Sequence, residues 1–173
     1  MSDEQSFELS LEQIEDFEFR VRFDGTAIKD LATDEPPPQG HDAGPNPAQL
    51  LLAAVANCLA ASLLFSLRKF RNTPGALRAT ARARLARNEH GRWRVAGMEV
   101  DLQLADQATS LRYMIALWRI GNSCIATESA RTGIPVSVSD RDGRGRIVHA
   151  TTPVVWRCAT PLRRPTHVGH LRE

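Results

Sequence analysis

The chain has 173 residues, 42% of them apolar, which is enough to bury one hydrophobic core and too few to favour a second domain. The net charge is only +2 and aromatic residues make up 6%, whereas nucleic-acid-binding surfaces combine many basic residues with stacking aromatics. We therefore expect no nucleic-acid partner. Three cysteines are too few, and odd in number, for a secreted disulfide framework.

The beginning of the chain predicts a cytoplasmic protein. Its first ten residues, MSDEQSFELS, are acidic and no apolar segment follows them, unlike a secretory signal peptide. The most apolar stretch, residues 50–65, is shorter than the roughly 18 to 20 residues of a membrane span, so we expect no membrane partner. In a reducing compartment, paired cysteines are more often catalytic or redox-active than structural.

The first half of the chain predicts a strand, a loop and a long helix. In residues 17–24, FEFRVRFD, apolar and charged residues alternate, which indicates a strand with one buried face. The segment from 34 to 47 is rich in Pro and Gly and is expected to be either an ordered loop or a flexible connection. Asn46 is a favourable N-cap and Pro47 suits the first helical position, so a helix is predicted from there to about Arg71.

The middle of the chain predicts an antiparallel hairpin. Residues 77–85 alternate between apolar and mostly basic side chains, NEHG at 88–91 forms a turn, and residues 93–104 give the second strand. The apolar positions slip register at Ala96 and Gly97, as they do at a β-bulge.

The third quarter of the chain predicts a helix over residues 111–125 that is bent near GNSC, a helix end at Gly133, and a strand over 134–139. Because strands and helices do not alternate regularly along the chain, the expected fold class is α+β rather than a parallel β/α sheet.

Residues 141–173 form a basic segment with three prolines and no periodicity. We expect a folded domain over 1–140 and a loosely ordered tail over 141–173. His167 and His170 have a spacing that metal sites use, but they have no further ligands nearby, so no metal is expected. Cys158 is interpreted as a bystander thiol, and the tail arginines Arg141, Arg144 and Arg146 as a solvated turn.

Cys58 lies in the middle of the predicted long helix, and its residue type fits two roles. A buried cysteine in an apolar helix is often a small hydrophobic core residue. Cys124 lies near the predicted start of a later helix, where amide dipoles favour a thiolate, and the two thiols can form a disulfide if the fold brings them together. Spacing alone leaves both roles open.

The sequence resembles the OsmC/Ohr family in two segments. GPNPAQLLLAAVANCLAASL, at 44–63, is similar to the central-helix motif of that family, and CIATESARTGIPVSVS, at 124–139, is similar to its second-cysteine segment. The resemblance covers residues 17–139. It implies antiparallel sheets packed around a long central helix, in an intertwined homodimer.

The resemblance also implies a thiol-dependent peroxidase. Cys58 would attack an organic hydroperoxide and become a sulfenic acid, and Cys124 would resolve it as a disulfide. No cofactor and no metal would be needed. A dithiol reductant, such as a lipoylated protein, would reopen the disulfide.

Burial disfavours a thiolate, so this chemistry needs a cation near Cys58. By resemblance the cation is an Arg held by a Glu, and Arg20 and Arg22 are the candidates; each can equally be a solvated strand residue. The family position of the Glu is Ala48 here, followed by the uncharged Gln49. We hypothesise that an acid in the loop before the helix, Asp34 or Glu35, takes the place of that Glu; these acids can also be solvated loop charges.

Two other interpretations remain. One is an OsmC-like dimer with weak or no peroxidase activity that binds a small ligand or has a stress-associated role. The other is an unrelated domain in which Cys58 and Cys124 are too far apart to bridge.

Overall fold

A computed structural model describes residues 4–71, 75–104, 124–133, 138–141 and 147–151. The chain divides into two units, Met1–Ala126 and Thr127–Glu173. The helix predicted over 111–125, apart from its last two residues, and the part of the tail after residue 151 lie outside the described residues, as do Cys158, His167 and His170.

Three antiparallel strands form the first sheet: β1 (Ser10–Glu15), β2 (Glu18–Arg22) and β3 (Leu31–Thr33), with β2 in the centre. The strand predicted over 17–24 is confirmed as β2, but it is shorter. Phe17, expected on the buried face, is 50% exposed because the chain reverses there, just after Asp16 adopts a positive φ of 42°. Val21, the fourth of the five residues of β2, is the buried residue of the strand.

The long helix, α1, spans Pro47–Lys69 and begins where the sequence predicts. The Asn46 side chain accepts a hydrogen bond from the Gln49 amide, at 2.9 Å. The Gln49 side-chain oxygen accepts one from the Asn46 amide, at 2.8 Å. This capping box satisfies two amides that a helix start otherwise leaves without partners, while Pro47 at the first position has no N–H to satisfy.

The predicted hairpin is confirmed as β4 (Leu77–Arg87) paired antiparallel with β5 (Trp93–Leu104). Arg84 pairs with Gly97 and Leu85 pairs with Val95, so Ala96 is the extra residue of the bulge. The turn is held by Asn88, whose side-chain oxygen accepts hydrogen bonds from two amides of the turn, those of residues 90 and 92.

Helix α1 packs against the hairpin through its C-terminal half. Leu63 and Leu67 are each 1% exposed and form the core cluster. The partly buried apolar side chains around them come from the helix, its C-cap and the hairpin, namely Leu59, Phe70, Leu77 and Leu102. Burial of apolar side chains of this size stabilises the fold by roughly 1.5–3 kcal/mol per side chain.

The apolar segment is longer than the sequence estimate. Helix α1 has 23 residues and, among the described residues, is long and apolar enough to cross a membrane by length and composition. Its length therefore does not exclude a membrane span, contrary to the prediction, because the helix includes its capped start and its basic last turn. Within the protomer only 22% of its most apolar stretch is buried.

Helix α2 (Ile125–Thr132) ends at Gly133, whose φ of 74° is the left-handed conformation predicted for that helix end. A hairpin follows, formed by β6 (Val138–Arg141) and β7 (Ile147–Thr151). Strand β6 overlaps the end of the strand predicted over 134–139. Strand β7 lies in the segment where the sequence indicated no regular element. The antiparallel sheets and separate helices confirm the α+β class.

The capping box gives a stability prediction. Replacing Asn46 by Ala removes the acceptor for the Gln49 amide and is expected to lower the free energy of unfolding by about 0.5–2 kcal/mol in chemical denaturation. Asn57→Ala, at an exposed position inside the same helix, is the matched control, and Ala should be neutral or slightly stabilising there. Equal effects of the two substitutions would contradict a capping role.

Candidate functional site

Cys58 lies near the middle of α1, half-buried, at the centre of an apolar stripe. Leu51 precedes it by seven residues and Phe65 follows it by seven, so the three side chains lie on one face of the helix. Leu51 is 45% exposed and Phe65 is 69% exposed. The thiol is therefore flanked by apolar surface that the protomer leaves open, at the edge of the face that buries Val55 and Leu63.

Cys124 immediately precedes α2 and its side chain is fully buried. The predicted position near a helix start is thus confirmed. In the described part of the chain, Cys58 and Cys124 are thiols rather than halves of a disulfide. Their pairing during a reaction stays a prediction.

The two candidate arginines share a network of ion pairs on one face of the first sheet. Arg22 lies 2.9 Å from the Glu12 carboxylate and 3.5 Å from the Asp30 carboxylate. Arg20 lies 3.7 Å from Glu12 and 4.0 Å from Asp30. The strand register produces this arrangement, because Glu12 is the β1 partner of Arg20 and Asp30 directly precedes β3.

This network, Glu12–Arg20–Arg22–Asp30, contains two positive and two negative charges. Its side chains are each between 42% and 57% exposed, so the ion pairs themselves add little to stability, about 0–1 kcal/mol each. Because the four charges cancel, the network has only a weak field at a distance. Either arginine would have to contact a thiolate directly in order to stabilise it.

The loop before α1 is organised by Asp34 rather than left flexible. This carboxylate accepts hydrogen bonds from the amides of Glu35 at 2.8 Å, His41 at 2.7 Å and Ala43 at 3.2 Å. Gly40 is required beside it, because a Cβ there would overlap the Asp34 side chain and the Glu35 carbonyl. The segment that the sequence left as either ordered or flexible is therefore ordered.

The same amides hold the pKa of Asp34 below its ordinary value. The hydrogen bond from the His41 amide contributes most, the Ala43 and Glu35 amides and the His41 charge act in the same direction, and burial opposes them. The Asp34 side chain is 2% exposed and its acceptors are taken by backbone amides. Its role in the structure is to fold this loop.

The described structure differs from the hypothesis that Asp34 or Glu35 holds the catalytic arginine. Among the described residues, no ion pair joins Arg20 or Arg22 to either acid, and their partners are Glu12 and Asp30. Glu12 and Asp30 could not be identified from the sequence because neither β1 nor β3 was predicted. The alternation of Leu9 and Leu11 with polar residues was the available signal for β1.

The start of α1 lacks a carboxylate. Ala48 occupies the position that the resemblance assigns to a Glu, and the first turn has no acidic residue. Gln49 cannot take the place of that Glu, since its side-chain oxygen accepts a hydrogen bond from the Asn46 amide in the capping box. The only carboxylates paired with Arg20 and Arg22 in the described chain thus come from the first sheet and its flank.

The geometry described so far corresponds to a known family. A sequence model of the OsmC-like protein family matches residues 40–139, more than half of the chain. The chain belongs to the OsmC-like protein family. The matched region contains both Cys58 and Cys124, whereas Arg20, Arg22 and Glu35 lie before it.

Solved structures share this fold. The OsmC-like protein from Mycoplasma pneumoniae has a TM-score of 0.62 at 16% identity, over 73% of this chain and 88% of that one. An organic hydroperoxide resistance protein from Elizabethkingia anophelis has a TM-score of 0.58 at 18% identity, over 78% of this chain and 94% of that one. The organic hydroperoxide resistance protein OhrB of Bacillus subtilis has a TM-score of 0.56 at 15% identity, over 73% of this chain and 91% of that one. These identities establish the fold alone.

A comparison with curated proteins finds no match. Members of the OsmC/Ohr family are typically soluble proteins, and an apolar helix such as α1 also occurs as the core helix of soluble proteins.

The Asp34 loop gives a prediction about pH. Because the folded-state pKa of Asp34 is lowered, its carboxylate stabilises the fold above its unfolded pKa of about 3.9, and this contribution is lost as the pH falls through the lower folded value. Asp34→Asn should therefore lower Tm at pH 7, and the difference from wild type should shrink below about pH 4.

The control is Asp42→Asn, in the same loop, because Asp42 is exposed and has a positive φ of 57° that Asn tolerates. It should leave Tm nearly unchanged across the same range. A Tm difference for Asp34→Asn that is constant between pH 7 and pH 3 would refute the ionised-acceptor role.

Proposed function

We propose that this protein is a thiol-dependent peroxidase that reduces organic hydroperoxides, with Cys58 as the attacking thiol and Cys124 as the resolving thiol. The observation that carries the proposal is the position of Cys58, a half-buried thiol inside the family-matched region and in the middle of the apolar stripe Leu51–Cys58–Phe65. An apolar surface around the thiol suits a hydroperoxide with an organic substituent.

The reaction balances with these two thiols and one dithiol. The Cys58 thiolate attacks the distal oxygen of ROOH, the O–O bond breaks, and the leaving alkoxide takes a proton to give ROH and a Cys58 sulfenic acid. The Cys124 sulfur then attacks Cys58, releasing water and forming a disulfide. A dithiol reduces that disulfide by two thiol exchanges and becomes a disulfide itself. No metal or organic cofactor takes part.

A homodimer is part of the proposal. Leu51 and Phe65 are apolar and largely exposed in the protomer, which is costly for a helix of this composition unless another surface covers it. We propose that a second copy of the chain covers part of this stripe and contributes to the pocket over Cys58. The proposed location is the cytoplasm, where reductants keep thiols reduced.

For activation of Cys58 we propose that Arg20 or Arg22 contacts the thiolate and that Glu12 and Asp30 orient it, in place of the carboxylate missing at Ala48. The four ion-pair distances support this assignment. Glu35, in the loop before α1, is the alternative acid that would orient the arginine.

A second candidate function is favoured by the absence of that carboxylate. An OsmC-like dimer without efficient thiol activation would retain the apolar stripe and bind a small apolar ligand instead. The observation behind it is that the first turn of α1 has no acidic residue beside Ala48.

Thiol counting separates the two candidates. After one equivalent of cumene hydroperoxide, titration of the denatured protein should show the rapid loss of two of its three thiols. Cys58→Ser should abolish the loss, because no sulfenic acid can form. Cys124→Ser should lose one thiol and accumulate a sulfenic acid that dimedone traps.

Cys158→Ser is the control and should still lose two thiols. An unchanged thiol count in the wild-type protein would favour the ligand-binding function. A disulfide that maps to a pair other than Cys58–Cys124 would contradict the assigned roles.

Arginine substitutions test the activation. Arg20→Gln or Arg22→Gln, whichever removes the contacting guanidinium, should lower the rate of peroxide reduction by about 10²-fold or more, since such groups stabilise charge that develops in the transition state. The measurement is the pseudo-first-order rate of sulfenic acid formation in the Cys124→Ser background.

Arg78→Gln, an exposed strand arginine of the hairpin, is the matched control for lost charge. If both single variants and the double variant keep the wild-type rate, Arg20 and Arg22 only form ion pairs within the sheet and take no part in catalysis.

A further inference from the structure

One face of α1 carries a pattern that reads the same in both directions along the helix. Leu50 lies seven residues before Asn57 and Leu64 lies seven after it, while Ala54 and Ala61 lie three before and four after. Because spacings of three, four and seven residues return to the same side of a helix, these five residues share one face. We call it the Asn57 face.

The Asn57 face lies on the side of α1 that the protomer does not bury. The buried residues of the helix are Val55, Leu63, Ser66 and Leu67, and a turn of about 100° per residue puts their mean direction nearly opposite Ala61. On the Asn57 face the asparagine and the two alanines are exposed and the two leucines are half-buried. The face is therefore apolar and open, with one polar side chain at its centre.

Asn57 determines what can cover this face. In the described part of the chain, its side chain makes no hydrogen bond to another residue. A carboxamide has two N–H donors and an acceptor oxygen, so two copies of it can bond to each other reciprocally, N–H to O=C in both directions. A purely apolar partner, whether a protein surface or a lipid, would leave these groups without partners. The face thus suits an occupant that brings a second carboxamide to its centre.

We propose that the Asn57 face is the seam of the homodimer, with two antiparallel α1 helices crossing at a two-fold axis where the two Asn57 carboxamides bond to each other. A two-fold interface requires a surface that is complementary to itself. The pattern meets this requirement, because Leu50 of one copy faces Leu64 of the second and the small alanines near the axis allow a close approach. The inference rests on the homodimer of the proposed function.

The charge at the end of the helix favours the antiparallel orientation. Arg68 is exposed and follows Asn57 by eleven residues, which brings it back to the same side of the helix. In a parallel pair the two Arg68 guanidinium groups would meet at the same end and repel each other. In an antiparallel pair centred on Asn57 they are about 33 Å apart along the helix axis.

The seam would bring a second copy beside the reactive thiol. Cys58 directly follows Asn57 and lies about 100° further around the helix, so it borders the seam and is not part of it. Leu51 and Phe65, which flank the thiol, lie on that same border. The pairing of the two Asn57 side chains therefore fixes how the second copy covers each Cys58, and the pocket over the thiol is incomplete without it.

The first test is the oligomeric state of the full-length protein, measured by sedimentation velocity over a range of concentrations. The wild type should be a dimer. Asn57→Asp should raise the dimer dissociation constant roughly 100-fold or more, because two carboxylates would face each other at a buried axis. Asn57→Ala should stay dimeric, because it removes both members of the pair and leaves no amide without a partner.

Asn46→Asp is the matched control. It makes the same change from amide to carboxylate on the same helix, but at the N-cap, where Asp caps as well as Asn. It should leave the dimer dissociation constant unchanged. An Asn57→Asp protein that dimerises as tightly as the wild type would overturn the proposal.

Cross-linking tests the orientation, and it decides the matter if Asn57→Asp fails to fold. Co-expressed Leu50→Cys and Leu64→Cys chains, treated with a short bis-maleimide, should give a cross-link between the two introduced thiols, mapped by mass spectrometry. Either variant alone should give no cross-link between its own copies at that position. Adding Asn57→Ala should permit such links, because the polar pair no longer selects one orientation. Links between two Leu50→Cys copies that retain Asn57 would overturn the antiparallel seam.

The seam and the peroxidase activity fail in different ways. A wild-type protein that is monomeric, or that floats as a monomer with phosphatidylcholine vesicles, would overturn the dimer and the seam together. Thiol loss after cumene hydroperoxide is measured on the same samples. If a dimeric wild type loses no thiols, the peroxidase proposal fails, and the seam is still decided by the dissociation constant of Asn57→Asp.

Discussion

The packing of Leu63 and Leu67 against the β4–β5 hairpin is the contact on which the rest of the first unit depends. It is the buried apolar cluster of the described chain, and it anchors only the C-terminal half of α1. The half that precedes it, including Cys58, has apolar side chains with far less cover inside the protomer. The Cys58 thiol is therefore half-buried, neither sealed in the core nor fully surrounded by water. The same incomplete cover is what a second copy of the chain would complete.

The start of α1 is fixed by a different set of forces. Asn46 and Gln49 satisfy the first amides of the helix, and the Asp34 carboxylate gathers the amides of the loop that leads into it. The capping box and the Asp34 loop both use polar groups in the segment where the family resemblance expects a carboxylate for catalysis. Gln49 is occupied by capping and Asp34 by loop amides, so neither is available to an arginine. The carboxylates that do pair with Arg20 and Arg22 come from the first sheet and its flank rather than from the helix.

Sequence reasoning succeeded where the signal is local. The N-cap at Asn46, the hairpin with its bulge at Ala96, and the left-handed Gly133 each follow from a few adjacent residues, and the structure has them all. It failed where the signal is weak or distant. Strand β3 has three residues, too few to show a period, and β1 is mostly polar, so Glu12 and Asp30 could not be placed beside the arginines. Cys58 and Cys124 were singled out from the three cysteines by the resemblance and not by periodicity, and their roles stay predictions.

Two groups of arginines in the described chain differ in their electrostatic surroundings, and the difference limits what each group can do. Arg20 and Arg22 share two carboxylates, so their combined field is weak and they act over contact distance only. Four arginines of the β4–β5 hairpin, Arg84, Arg87, Arg92 and Arg94, have no carboxylate partner among the described residues and are exposed, so their field extends into solvent over about a Debye length, roughly 8 Å at physiological salt. A neutral network suits the stabilisation of one thiolate in a defined position, where a strong field would also attract unwanted anions. A net charge of only +2 for the whole chain conceals both arrangements, because the acidic first sheet and the basic hairpin nearly cancel in the sum.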